Sequence, residues 1–116
     1  MISFTLPLHL RSAANLHDFH WAQRHRRVKA ERKSIATVAR AFGVRPITAP
    51  IVVTLTRIAP RKLDGHDNLR SAFKVTVDSI ADALGLRDDS DARVEWRYEQ
   101  ECGKPSAVRV EIREAK

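Results

Sequence analysis

The chain has 116 residues, 43% of them hydrophobic, with 21 Lys and Arg against 14 Asp and Glu, a formal charge of +7. This size and balance suit one folded domain, 1–116, and exclude a disordered or fibrous chain. One cysteine, Cys102, excludes an internal disulfide framework and a multi-cysteine zinc site, and no apolar run reaches the ~20 residues of a membrane span. The opening MISFTLPLHL lacks the basic flank and cleavage site of a signal peptide, so the expectation is a cytoplasmic protein without membrane contact.

Residues 2–8 (ISFTLPL) alternate apolar with polar and predict a strand, which Pro7 confines to a sheet edge or a strand end. A loop carrying His9, His17, Asp18 and His20 follows. Residues 22–42 predict a helix, with Val28, Ile35, Ala39 and Phe42 near one face and Gly43 as its stop. Its N-terminal half is almost wholly basic, so only the C-terminal half can pack firmly. Pro46 and Pro50 bracket a linker, and residues 51–58 (IVVTLTRI) are a β-branched strand. After a loop at 60–66, Leu69, Phe73, Val77, Ile80 and Leu84 recur at three- and four-residue steps. They predict one helix over 67–84, ended by Gly85. Residues 92–100 and 106–113 alternate strongly and, joined by ECGKP, predict a β-hairpin. The order β-α-β-α-β-β predicts an α+β fold, a small mixed sheet with two helices packed on it.

The charge is segregated. Residues 22–45 hold Arg24, Arg26, Arg27, Lys29, Arg32, Lys33, Arg40 and Arg45 against Glu31 alone, so this segment accounts for the entire excess. Seven of the eight aspartates, Asp64, Asp67, Asp78, Asp82, Asp88, Asp89 and Asp91, fall within 61–91. A basic face attracts phosphates without telling DNA from RNA or an anionic membrane, and aspartates also serve turns and caps. Together they point to a polyanion partner and carboxylate chemistry.

On the predicted second helix, Asp67, Ser71, Lys74 and Asp78 form one polar stripe opposite Leu69, Phe73 and Val77. Asp64 precedes this helix, and Asp88, Asp89 and Asp91 follow it. A straight helix of this length spans roughly 27 Å at ~1.5 Å per residue. Its acidic ends therefore meet only if the following loop folds back along the polar face, or if it reaches a second subunit. Grouped carboxylates suit Mg²⁺, a hard cation that keeps waters for substrate phosphates and activates one for phosphodiester hydrolysis. Lys74, leaning toward the helix N-terminus, offers a point charge for a scissile phosphate. Asp67 also reads as an N-cap, and Asp88 to Asp91 as a turn.

The segment at 62–96 (KLDGHDNLRSAFKVTVDSIADALGLRDDSDARVEW) resembles the RusA-like family of Holliday junction resolvases. That family has a D-x-D-N-L segment opening a helix and a D-D pair between that helix and the next strand. Asp64, Asp67, Asn68 and Leu69 match the first motif, and Asp88 and Asp89 match the second. The resemblance extends more weakly along the rest of the chain, with Ser12 and Asn15 similar to a loop before a basic helix. It implies a homodimeric α+β endodeoxyribonuclease of bacterial or prophage recombination and repair, cytoplasmic and nucleoid-associated, that nicks branched DNA symmetrically. Mg²⁺, with Mn²⁺ as substitute, would be held by Asp64, Asp67 and Asp89, with Asp88 and Asp91 as alternative ligands. No small-molecule cofactor is implied. Two departures stand out: Gly65 and His66 separate the first aspartate pair where the family has one residue, and Ser71 occupies the family's lysine position. Lys74, one turn later, is the substitute the spacing offers.

Arg24, Arg26, Arg27, Lys29, Arg32 and Lys33 are the DNA-contact candidates. His17, His20 and His25 have an H-x₂-H…H spacing, but no Cys or Glu completes a zinc pattern. His66 reads as a loop histidine near the acids, and Cys102, placed in the expected hairpin turn, has no histidine neighbour to activate it. Trp21 and Trp96 read as core or interface anchors. The leading expectation is a metal-dependent, structure-selective endodeoxyribonuclease. The alternative is a non-catalytic nucleic-acid-binding scaffold of the same fold.

Overall fold

The computed structural model describes residues 1–8, 21–63 and 66–115, leaving aside the side chains at 21–24 and 66–68. The strands are β1 (Ile2–Leu6), β2 (Ile51–Ala59), β3 (Val94–Cys102) and β4 (Ala107–Glu114); the helices are α1 (Trp21–Ala41), α2 (His66–Ala72) and α3 (Lys74–Ala83). They form an α+β fold with a small mixed sheet in the order β1-β4-β2-β3. β2 runs parallel to β3 and antiparallel to β4, and β1 is an antiparallel edge strand beside β4. The strand that ends at Pro7 is thus at a sheet edge, where a missing N–H costs no ladder bond.

The expected hairpin does not form. β3 and β4 are consecutive in the chain, yet β2 lies between them and pairs with both. The reason lies in β2 itself, whose residues are buried on both faces. A strand of that kind needs a neighbour on each side to pair its backbone groups. The connecting segment therefore crosses the end of β2, where the Gly103 amide donates to the Ala59 carbonyl at 3.0 Å.

Register assigns the two faces of the sheet. Phe4 and Leu6, Val108, Val110 and Ile112, and Val53 and Leu55 are buried on the inner face. Ile35 and Ala39 of α1, Phe73, and Val77 and Ile80 of α3 complete the same apolar cluster. The outer face carries no helix among the described residues, yet Val52 and Thr56 of β2 are buried there. Long charged side chains of the flanking strands roof them over. Arg109 of β4 reaches across β2 to Glu101 of β3, with Nη2 2.9 Å from Oε2. Strands two apart lie ~9.6 Å from each other, a span that these two side chains bridge.

Both glycine stops act as expected. At the end of α1 the Gly43 amide bonds to the Arg40 carbonyl at 3.1 Å and the Val44 amide to Ala39 at 3.0 Å. At the end of α3, Gly85 bonds to Asp82 at 3.1 Å and Leu86 to Ala81 at 2.9 Å. Both are Schellman ends with a glycine at positive φ, 97° and 71°. Phe42, expected on the packed face of α1, is 55% exposed. It follows the last helical residue, and its ring stacks on Phe4 at 5.3 Å. Among the described side chains of α1 the buried ones, Ile35 and Ala39, lie in its C-terminal half. Among the described residues no helix is long and apolar enough to cross a membrane.

The single helix expected over 67–84 is broken. Phe73, at φ −86° and ψ 1°, stands between α2 and α3. Its amide bonds to Arg70 three residues back at 3.2 Å, a tight 3₁₀ turn, and its carbonyl accepts from Val77 to restart the α-helix. The ring is fully buried and stacked on Tyr98 of β3 at 5.7 Å. Periodicity cannot reveal this break, because Leu69, Phe73 and Val77 stay in phase across it.

Candidate metal and nucleic-acid site

Two loops flank the α2–α3 unit, and both are tied to β3. The loop before α2 is pinned at Leu63, whose amide donates to Gln100 Oε1 at 2.7 Å while Gln100 Nε2 donates to the Leu63 carbonyl at 3.2 Å. Beside it the buried Arg57 of β2 donates to the Arg61 carbonyl at 2.7 Å. Asp64, which follows this anchored stretch, lies outside the described residues. Asp67 is within the first turn of α2 rather than its cap, where a negative charge is favoured by the helix dipole; its side chain lies outside the described set.

The loop after α3 organises itself through its own aspartates. Asp88 accepts from the Ser90 amide at 2.9 Å and from the Ser90 hydroxyl. These bonds hold its carboxyl below the usual carboxylate range, helped by the charge of Lys74 and opposed by that of Asp91. Asp91 accepts from the Arg93 amide at 2.9 Å and is gripped by the guanidinium at 3.1 and 2.9 Å, so its pKa falls to about 2. Asp89 differs. Its carbonyl accepts from the Trp96 indole at 3.1 Å, and among the described residues its carboxylate has no hydrogen bond or ion pair. The three aspartates that spacing left equivalent are therefore distinct: two brace the loop, and the third is engaged by none of the described residues.

Asp89, Leu69 and Arg70 of α2, and Trp96 and Tyr98 of β3 line one cleft of about 460 Å³. The loop after α3 has thus come back to α2 within a single chain, the first of the two routes open to it. The break at Phe73 and the anchor at Trp96 make this possible, since α3 alone covers only ~15 Å. Burial raises the pKa of the Tyr98 phenol; the nearby Arg70 and Lys74 act to lower it, while Asp89 adds to the rise.

Lys74 does not lean back toward the helix start. Its Nζ reaches forward to Asp78 Oδ1 at 3.2 Å, an exposed i,i+4 pair on the polar stripe. It remains close enough to act electrostatically on both Asp88 and Tyr98. Ser71 is exposed. Among the described residues no group of three or more His, Cys, Asp or Glu is placed to hold a metal ion. The anionic donor that the cleft presents, an oxygen of Asp89, is of the kind Mg²⁺ takes.

On α1, Arg26, Arg27, Lys29 and Lys33 are exposed, and the side chain of Arg24 lies outside the described residues. Arg32 serves partly in packing, bonding Asp82 of α3 at 3.1 Å. Arg45 donates to the Arg40 and Val44 carbonyls at 3.1 and 3.0 Å, closing the end of α1. Burial raises the Glu31 carboxyl, with Arg27 pulling the other way. Cys102 is exposed at the end of β3 rather than in a hairpin turn. Ser12, Asn15, His17 and His20 lie outside the described residues.

Sequence reasoning missed Arg70 and Tyr98 as cleft residues. A signal existed in the strand alternation, which puts Val94, Trp96, Tyr98 and Gln100 on one face of β3. What it could not supply is which helix that face meets. No protein-family model matches the chain, and no curated protein is similar enough to it to count as a relative, so its function is argued from its own residues and geometry.

Proposed function

We propose that the chain is an Mg²⁺-dependent endodeoxyribonuclease that cuts Holliday junctions or related branched DNA, acting as a RusA-like homodimer in the cytoplasm. The observation that carries this reading is the return of Asp89, whose carboxylate no described residue engages, to α2, the helix that contains Asp67. The metal would be held by Asp89 together with Asp64 and Asp67; when bound, it supplies a Lewis acid and an activated water for phosphodiester hydrolysis. Asp88 and Asp91, engaged by Ser90 and Arg93, brace the loop that presents Asp89. Lys74, released from Asp78, is close enough to act on Asp88 and would supply a cation for a scissile phosphate. Arg26, Arg27, Lys29 and Lys33 supply the exposed charge that grips DNA arms, joined by Arg24 and Arg32. A two-fold dimer suits a junction of near two-fold symmetry that needs paired cuts.

A non-catalytic scaffold is the second reading, favoured by Ser71 at the family's lysine position and by the engagement of Lys74 with Asp78. Incubating the protein with a labelled four-way junction, in Mg²⁺ or EDTA, separates the two. Mg²⁺-dependent symmetric nicking that is lost in Asp67→Asn and Asp89→Asn is the expected result. Binding without nicking would retire the nuclease and leave the scaffold.

A further inference from the structure

We propose that the cleft over β3 is a nucleobase pocket, taking one unpaired base of the DNA against Trp96 and Tyr98 with Arg70 at its rim. The inference rests on the reading above and adds to it a source of selectivity for branched over duplex DNA.

The cleft has the size and the chemistry for such a ligand. Its volume of about 460 Å³ lies within the ~300–1,000 Å³ range of small-molecule sites. Trp96 and Tyr98 are two residues apart on one face of an edge strand and are half-buried, so each packs one part against the core and shows another to the cleft. Both rings are held in place. Tyr98 is backed by the fully buried Phe73 at 5.7 Å with 29° between the planes, and the Trp96 indole is fixed to the Asp89 carbonyl at 3.1 Å. The indole N–H already has its partner in that carbonyl. What they offer a ligand is aromatic surface that needs no ordering.

The cleft also carries a cation. Arg70 is exposed on α2. A free phosphate would meet the Asp89 carboxylate at the same rim, and an aliphatic chain would leave both charged groups dry. A planar heterocycle avoids both penalties: it stacks on the rings and presents acceptor atoms of the kind that arginine reads on bases. A base within a duplex cannot enter, because its faces are covered by its neighbours. One at a branch point can, at little unstacking cost. The cleft contains Asp89, so a base seated there brings its own phosphodiester to the carboxylate group proposed to hold the metal.

The test uses the full chain with Trp21→Phe, which leaves Trp96 as the sole tryptophan. A single-stranded oligodeoxynucleotide and an abasic strand of equal length and charge are titrated in EDTA while Trp96 fluorescence is followed. Saturable quenching by the base-bearing strand is expected, with affinity about tenfold or more above the abasic strand, as for one stacked base. Arg70→Ala, at an exposed position, is expected to weaken the base-bearing strand several-fold and leave the abasic strand unchanged. Equal affinity and equal quenching for the two strands would overturn the pocket, as would an Arg70→Ala loss shared by both. The nicking assay reads separately. Mg²⁺-dependent nicking with no base preference leaves the nuclease without this pocket, and base-selective binding without nicking leaves the pocket without the nuclease.

Discussion

Replacing Phe73 by leucine tests whether the break between α2 and α3 is held by its ring. Phe73 is fully buried, and its centroid lies 5.7 Å from that of Tyr98, within the range of favourable aromatic pairs. Leucine keeps most of the volume, so the loss combines the aromatic term of ~0.5–1.5 kcal/mol with a shape mismatch below ~1.5 kcal/mol. The sum is about 0.5–3 kcal/mol. Alanine would cost about 3–5 kcal/mol, a large part of the ~5–15 kcal/mol that holds a typical domain, and would blur the result with unfolding. With a urea m-value near ~2 kcal/mol/M, the leucine variant should lose about 0.25–1.5 M in its midpoint at unchanged slope. Tyr98→Leu alone and the double variant complete the cycle. If the ring pair holds the break, the double variant is less destabilised than the sum of the singles by about 0.5–1.5 kcal/mol. Additivity within ~0.3 kcal/mol would refute the argument, because the two rings would then be independent neighbours. The consequence reaches the cleft, since the same contact backs the Tyr98 ring that lines it.

Gly43→Ala should destabilise the protein by about 1–2 kcal/mol, because φ is 97° while open space surrounds the new methyl; an unchanged thermal midpoint would contradict the strain argument. Gly85→Ala should cost more than Gly43→Ala, since at φ 71° the added Cβ also comes to 3.1 Å from Pro46 Cβ, as urea melts of the two variants would show. Glu31 has a carboxyl raised above its ordinary 4.5 by burial, so folding favours its protonated form. Its contribution is most favourable below that value and is lost as pH rises through the raised pKa. Glu31→Gln should therefore gain stability over wild type at pH 7 and lose that advantage in acid; an advantage independent of pH would point to packing instead. If α1 grips phosphates, Arg26→Ala with Lys29→Ala should reduce the slope of log affinity against log salt by about 2, measured on any DNA, and an unchanged slope would place the contacts elsewhere.

Much of the local structure was legible. The end of α1 and the stop of α3 could be read from Gly43 and Gly85, because a left-handed residue ends a helix wherever it stands. The strand at 51–58 was legible from its β-branched run. The site was legible in part. The residues of the carboxylate group could be named, but not their division of labour, since Asp88, Asp89 and Asp91 differ only in which neighbour each one bonds. Ser90 and Arg93 lie two residues away and occupy Asp88 and Asp91; nothing among the described residues occupies Asp89.

The sequence by itself determined the segregation of charge onto one helix, the apolar face of each element, and the places where helices stop. These are local properties, set by composition, period and backbone conformation over a few residues. Tertiary structure alone decided that β2 separates β3 from β4, that one predicted helix becomes two at Phe73, and that Asp89 meets α2 over Trp96 and Tyr98. Each of these depends on a partner distant in sequence: the second strand that a doubly buried β2 requires, the tyrosine that receives the Phe73 ring, and the indole that anchors the loop after α3. Periodicity states which face of an element is apolar. Which other face it meets is settled only when all the elements compete for the same core.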